Sequence, residues 1–344
     1  MTIEEIKQTL RDSDEYKFLR ENPFFQTHMA LLTLGGSHAY GTNIPSSDLD
    51  VRGIAANPKS EILLGKDFEQ KIDNPTDTTI YSVKKIITLL TNVNPNTIEM
   101  LGCKPEHYLY LSDIGKLLLE NRSIFLSKRA IYSFGGYAND QLHRLMNATA
   151  QDMDQSEKEA HILSRINNAS EHLKQRYMEY EEDAIRLYLD ESRKNEFAME
   201  IFMDINLTHY PLRDLCGLWS EMSNIAKNYD KIGIRNNNAI THKKLGKHMM
   251  HLARLYLMCF DILERGEIIT YREKDHDFLM DIRNGKYLDS NNRPTLEFFE
   301  IVEEFENKLN HLAEKTELPQ KADMDKINNL TIKINENIVS SSFG

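Results

Sequence analysis

The stretch that decides the fold is GGSHAYGTNIPSSDLDVRG, residues 35–53. It joins two apolar runs, MALLTL at 29–34 and VRGIAA at 51–56. Apolar runs of this length bounded by Gly, Ser, Asn and Pro predict β-strands, so residues 28–36 and 49–56 are expected as two strands joined by a polar loop. Alternation along the second strand points Asp48, Asp50 and Arg52 to one face and Leu49, Val51 and Gly53 to the other. Carboxylates two apart on a strand lie roughly 6.5–7 Å apart at Cα. They can share one divalent ion, or a pair of ions about 3.5–4 Å apart. Mg²⁺ suits such ligands, because it takes carboxylate and phosphate oxygens while keeping some of its waters. In the loop, Gly36 has no Cβ and can bring its backbone against a phosphate. Ser37 adds a hydroxyl and an amide donor, and a helix starting there would add N-terminal amides. Taken singly, a Gly-Gly-Ser segment is most often a turn, and an Asp-x-Asp is often a solvated pair. Joined in this order between two strands, they describe a phosphate cradle beside a metal site.

Working outward, the first 30 residues read as one or two helices, TIEEIKQTLRDS being the clearer. The segment TTIYSVKKIITLLTNV starts β-like at Thr78 to Tyr81. It then turns helical, with Val83, Ile86, Ile87, Leu90 and Val93 on one stripe, and NPN at 94–96 breaks it. From about Tyr132 glycine and proline become scarce and helical periodicity dominates to about residue 315. Helices are expected over 155–205, over 241–265 ending near Gly266, and from a Thr295 N-cap onward. Pro211 interrupts at LTHYPLRD, LPQKAD stops the last helix, and NIVSSSFG reads as a loose tail. The expected class is α+β: a mixed sheet with flanking helices over 1–130, then a mainly α-helical domain over 131–344.

The 344 residues are 40% hydrophobic and 28% charged, as in a soluble globular protein, and carry a net charge of -11. That balance argues against broad, non-specific coating of nucleic acid and makes any local basic site stand out. No apolar run reaches the length of a membrane span, and the acidic amphipathic start is unlike a signal peptide. No membrane association and a cytoplasmic location are expected. Cys103, Cys216 and Cys259 lack metal-ligand spacing and read as buried thiols in a reducing compartment.

An apolar strand, Gly36-Ser37, about ten residues, and then Ser47-Asp48-Leu49-Asp50-Val51 resembles the signature of the DNA polymerase β-like nucleotidyltransferase superfamily. SHAYGTNIPSSDLDVRGI and DTTIYSVKKIITLLTNVNPNTIEML resemble a bacterial and phage group of nucleotidyltransferases, some of whose relatives are associated with RNA repair. KHMMHLARLYLMCFDILERGEIITYRE, LMDIRNGKY and ELPQKAD extend the likeness to the second half. It covers roughly residues 30–105 and 240–325; the role of 150–235 stays open. The resemblance implies a palm-like sheet and a location in the cytoplasm of a bacterium or an infected host. It also implies two Mg²⁺ or Mn²⁺ ions and transfer of a nucleotidyl group from an NTP, with ATP the expected donor. Asp48 and Asp50 match the family's metal ligands. The family's third carboxylate sits on a later strand, for which Asp77 is the candidate, with Asp73 and Glu99 as competitors; a plain turn or capping role for Asp77 is the alternative. Gly36, Ser37 and Ser47 match the nucleotide-binding loop.

A second signal lies in THKKLGKHMMHLARLYL. At about 100° per residue, Lys244, Lys247, His248, His251 and Arg254 share an arc, while Met249, Leu252, Ala253 and Tyr256 face elsewhere. On its own this is as readily a solvated basic face paired with nearby acids. With the resemblance, Lys247, His251 and Arg254 become candidates for the triphosphate or an acceptor phosphate, and a zinc reading of His248 and His251 lacks a completing ligand. Lys85, one turn into the helix after the Asp77 strand, is a further nucleotide-binding candidate or an ordinary exposed lysine. Tyr81 and Arg283 are weaker candidates, and Phe298, Phe299 and Phe305 read as helix core. Three acceptors fit the chemistry: an RNA 3′ end, a protein hydroxyl as in nucleotidylating toxin–antitoxin pairs, or a small molecule. A catalytically silent nucleotide-binding module would not need both Asp48 and Asp50. Oligomeric state is not legible.

Overall fold

The structure, a computed structural model, describes residues 1–149, 184–191, 199–219, 222–223 and 245–340. Its first helix is set by its cap: the Thr2 hydroxyl accepts from the Glu5 amide and the Glu5 carboxylate accepts from the Thr2 amide, starting α1 (Ile3–Asp12). Two short helices follow, α2 (Lys17–Glu21) and α3 (Pro23–His28), the latter with Pro at its start and Asn22 as its cap. Then come β1 (Met29–Leu34), α4 (Gly36–Tyr40), β2 (Val51–Ala55), α5 (Lys59–Leu63), β3 (Gln70–Asp73) and β4 (Thr78–Ser82). They are followed by α6 (Val83–Thr91), α7 (Pro95–Ile98), β5 (Tyr108–Leu111), α8 (Asp113–Glu120) and α9 (Arg129–Thr149). Later come β6 (Ile185–Glu191), β7 (Met199–Ile205), α10 (Leu245–Arg265), α11 (His276–Arg283), α12 (Leu296–Lys315) and α13 (Met324–Ser340).

Five strands form one mixed sheet in the order β3-β4-β2-β1-β5. β2 and β4 run parallel, and every other neighbouring pair is antiparallel. Alternation gives the sheet two different faces. Gly53, Ala55 and Ile80 lie on the face that packs on Phe25, with Phe18, Phe24, Leu32 and Phe68 around them. Each large side chain fully buried there contributes roughly 1.5–3 kcal/mol. Gly53 is needed at its place, because a Cβ would lie 2.6 Å from Ile80 Cδ1. The opposite face carries Thr33, Arg52, Thr79 and Tyr81, which the strand register sets side by side.

The chain forms two compact units, one of residues 1–141, 246–287 and 295–344, the other of 142–245 and 288–294. In the first, the segment after α10 is fastened to the sheet's connections. The Thr270 amide donates to the Gly102 carbonyl at 3.1 Å, its hydroxyl to the Glu99 carbonyl at 2.6 Å, and the Arg272 amide to the Tyr40 carbonyl at 3.1 Å. The α+β class expected from the sequence is the class observed, and the five buried positions of the Val83, Ile86, Ile87, Leu90 and Val93 stripe lie where the periodicity put them.

Four details differ from the sequence reading. Helices were expected over 155–205; 155–183 and 192–198 lie outside the described residues, but 185–191 and 199–205 are β6 and β7, an antiparallel pair with Tyr188 opposite Phe202. The period of two in IRLYLD is the physical reason, with Ile185, Leu187 and Leu189 alternating with Arg186, Tyr188 and Asp190. The tail begins later than expected: α13 runs to Ser340 because Ile327, Leu330, Ile334 and Ile338 repeat at helical spacing and are buried. Residues 341–344 lie outside the described ones. Of the three thiols, Cys259 is buried, Cys103 half-buried and Cys216 exposed, so spacing alone did not fix burial. Finally, β2 starts at Val51, leaving Asp48 and Asp50 in the loop before it. Among the described residues no helix is long and apolar enough to cross a membrane.

Candidate active site

The site is built where β2 and β4 begin. They run parallel with Val51 opposite Thr78, so the residues just before them, Asp50 and Asp77, enter side by side. Asp50 is anchored by its backbone: the Gly35 amide donates to its carbonyl at 2.8 Å. The Gly36 turn, at φ +52°, leaves room for its carboxylate; a Cβ on Gly36 would lie 1.6 Å from Asp50 Oδ2. The missing side chain thus makes space for an acid of the same chain, where the sequence reading gave that space to a phosphate.

Asp77 sits in the turn before β4 with φ +47°, in the left-handed region that Asp tolerates better than most residues. Its carboxyl lies near enough to that of Asp50 to act on it. Burial first, and then this neighbour, push the Asp50 carboxyl up from 3.8 to about 6, while Arg52 and Lys247 pull it the other way. Two adjoining carboxyls, one partly desolvated, form a site whose charge is balanced only by a proton or a cation. Arg52, two residues after Asp50, donates to the Asp77 carbonyl and approaches Asp77 Oδ1 at 3.5 Å.

The sequence-derived residues divide into those brought together and those not. Asp50, Asp77 and Lys247 converge, the exposed Lys247 ammonium close enough to act on the Asp50 carboxyl. Asp48 lies exposed in the loop, and strand geometry does not set its direction. Among the described residues no group of three His, Cys, Asp or Glu side chains is placed to hold a metal. The acid pair fits one divalent cation in ligand type, both groups being hard carboxylate oxygens; Asp48 lies exposed in the loop and is not assembled with it. Asp73 instead ties its own turn, accepting from the Thr76 amide at 3.1 Å and hydroxyl at 2.7 Å. Glu99 is buried, taking the Tyr40 hydroxyl as donor.

Ser37 lies half-buried in the first turn of α4. Ser47 staples the loop: its hydroxyl oxygen accepts from the Ile44 amide at 2.9 Å and from Arg283 at 3.2 Å. Arg283 also donates to the Thr42 carbonyl at 2.7 Å, which makes it a clamp on the loop. Lys85 pairs with Glu69 at 3.3 Å and sits just past the far end of β4, whose five residues span about 16 Å from Asp77. Lys244 lies outside the described residues. Met249, Leu252, Ala253 and Tyr256 are buried, and so is Arg254. Its guanidinium rests 3.5 Å over the Tyr40 ring and meets His251 Nδ1 at 2.8 Å. The role of Arg52 was missed, although its place on the Asp50 face was the available signal. The Tyr40–Glu99–Arg254 cluster carried no sequence signal, since its members are far apart in the chain.

A mixed sheet with a Gly-Gly turn after one strand and two parallel strands entered side by side is the arrangement of a polymerase β-like palm. Residues 17–163 match the model of the RNA repair pathway DNA polymerase beta family. A phage protein, described as an uncharacterized 38.9 kDa protein in the nrdC-mobD intergenic region of Enterobacteria phage T4, is 25% identical over 325 residues. The match covers 84% of this chain and 91% of that protein. No solved structure matches the chain.

Proposed function

We propose that the chain is a divalent-cation-dependent nucleotidyltransferase that moves a nucleoside monophosphate from an NTP to an acceptor hydroxyl on RNA and releases pyrophosphate. The observation that carries this reading is the Asp50–Asp77 pair at the entry of β2 and β4, with Arg52 and Lys247 beside it. A divalent cation held there, Mg²⁺ or Mn²⁺, would neutralise the triphosphate and acidify the attacking hydroxyl. Asp50 and Asp77 would hold it, with Asp48 as a further ligand supplied from the loop and able to serve a second ion. The Asp77 carboxylate would accept the acceptor's proton. Lys247 would donate to phosphate oxygens and hold the leaving pyrophosphate in line. The family description, with RNA repair in its name, favours an RNA acceptor.

The test is Mg²⁺- or Mn²⁺-dependent transfer of label from each α-labelled NTP, with RNA and with protein offered as acceptors. Label on RNA, lowered about 10²–10³-fold in Asp50→Asn, is the expected result. Label on protein alone overturns the acceptor, and equal transfer by Asp50→Asn overturns the site.

A further inference from the structure

Arg52 has two unequal attachments. One arm of its guanidinium is fixed to backbone: Nη1 donates to the Asp77 carbonyl and to the Val51 carbonyl at 3.2 Å. Among the described residues the other arm, Nη2, makes a single long contact, 3.5 Å to Asp77 Oδ1. The Arg52 side chain is 19% exposed and that of Asp77 64%. A pair this exposed and this long contributes little to stability, so the carboxylate is held loosely. Asp77 and Arg52 both act on the Asp50 carboxyl, and Val51 pairs with Thr78 so that the two acids enter side by side; the guanidinium therefore stands where it offsets the negative charge of the acid pair in the free protein. Gly35 leaves room for the Arg52 side chain, since a Cβ there would lie 3.0 Å from Arg52 Cγ.

We infer that Arg52 is the site's internal counter-cation. It neutralises Asp77 while no nucleotide is bound, and it releases that carboxylate when a nucleotide-bound divalent cation enters. The freed arm then donates to the nucleotide's phosphate oxygens, while the backbone-bound arm keeps Asp77 in place. The inference rests on the nucleotidyltransferase reading and adds an order of events: a bare ion must displace a cation without recompense, whereas an ion arriving with its nucleotide brings the guanidinium a new partner. Arg52 is thus a positioning residue in the free protein and a phosphate ligand in the complex. A guanidinium suits both tasks, since its planar fork presents several donors at fixed angles.

The test is direct binding of Mn²⁺ to the full chain, read from the paramagnetic resonance of the free ion. It is run alone and with each of four NTP analogues bearing a methylene bridge between the α and β phosphates. Arg52→Gln is expected to bind bare Mn²⁺ about tenfold tighter, because a unit charge a few ångströms from the ion is removed in partly screened surroundings. The same variant is expected to bind the Mn²⁺–analogue complex at least about fivefold more weakly, as one charge-assisted bond to phosphate is lost. Arg52→Lys keeps the charge and is the milder change, so it guards against a folding artefact in the Gln variant. It should keep the bare-ion affinity within about twofold, since the charge near the ion is unchanged. Unchanged or weaker bare-ion binding in Arg52→Gln, or a tenfold change in Arg52→Lys, overturns the inference and leaves the functional reading intact. A wild-type chain that binds no Mn²⁺ even with the analogues overturns the functional reading itself.

Discussion

The Asp50 carboxylate occupies the space that a side chain at residue 36 would need. A Cβ on Gly36 would lie 1.6 Å from Asp50 Oδ2 and 2.6 Å from its Cγ, and Gly36 adopts φ +52°. The turn after β1 and the acid before β2 therefore form one unit. Gly36→Ala must either push the carboxylate away or reshape the turn. The backbone strain alone costs about 1–3 kcal/mol. Nucleotidyl transfer should fall at least about 100-fold, as when a group acting on transition-state charge is displaced. Urea denaturation and label transfer check the two effects. An Ala variant with full activity would show that the Asp50 position is not critical.

The Asp50 carboxyl gives the metal-free protein a pH dependence of defined sign. Its folded-state value is raised from 3.8 to about 6 by burial and by Asp77. A raised carboxyl stabilises the fold below its unfolded value, and that stabilisation is lost as pH rises through the folded value. Asp50→Asn cannot ionise, so it should gain stability relative to wild type as pH goes from about 4 to about 6 and hold that gain above. The measurement is the difference in Tm between the two proteins in chelator across that range. A difference that does not change with pH would mean that Asp50 ionises freely.

The quoted stretch made the strands, the loop and Asp50 legible because each depends on local pattern: apolar runs, glycines and period-two alternation. Asp77 was singled out among three acids through a family likeness, and its place beside Asp50 comes from the pairing of Val51 with Thr78, a non-local register that no short window of sequence contains. The same limit hid Arg254. Helical spacing correctly grouped it with Lys247 on one helix, but spacing does not reveal which neighbour lies over a given turn. Lys247 is exposed, whereas Arg254, two turns later, rests on Tyr40. Asp48 was misplaced for a different reason: the strand pattern holds back to residue 49, but the Gly35 amide takes the Asp50 carbonyl, and pairing starts only at Val51.

Arg283 ties the loop that ends in Asp48 and Asp50. It donates to the Thr42 carbonyl at 2.7 Å and the Ser47 hydroxyl at 3.2 Å, and burial lowers its pKa from the usual value. Arg283→Met keeps the aliphatic bulk and removes both bonds, at a cost of about 1–3 kcal/mol. Amides of residues 42–48 should exchange faster in hydrogen–deuterium measurements, while those of α1 keep their rates. Ser47→Ala removes one of the two contacts and should give a smaller change of the same kind. Unaltered exchange in Arg283→Met would mean that the loop is held by other contacts.

Glu99 and Arg254 are 8% and 7% exposed, and their charges act on one another across Tyr40, whose hydroxyl donates to Glu99 and whose ring carries the guanidinium. Burial raises the Glu99 pKa, and Arg254 is the first of the groups that oppose this. Removing Arg254 leaves a buried acid without its cation, a loss of about 3–5 kcal/mol. The Arg254 Nε has no hydrogen-bond partner among the described residues, so part of the guanidinium's desolvation is already uncompensated and the loss should fall toward the lower end. Glu99→Gln keeps an acceptor for Tyr40 and removes the acid. Adding it to Arg254→Met should therefore recover stability rather than lose more, with a coupling energy of at least about 1 kcal/mol in a double-mutant cycle. Denaturation of the four proteins measures this. Additive losses would show that Glu99 is already neutral in the folded protein, with Arg254 held by Tyr40 and His251 alone.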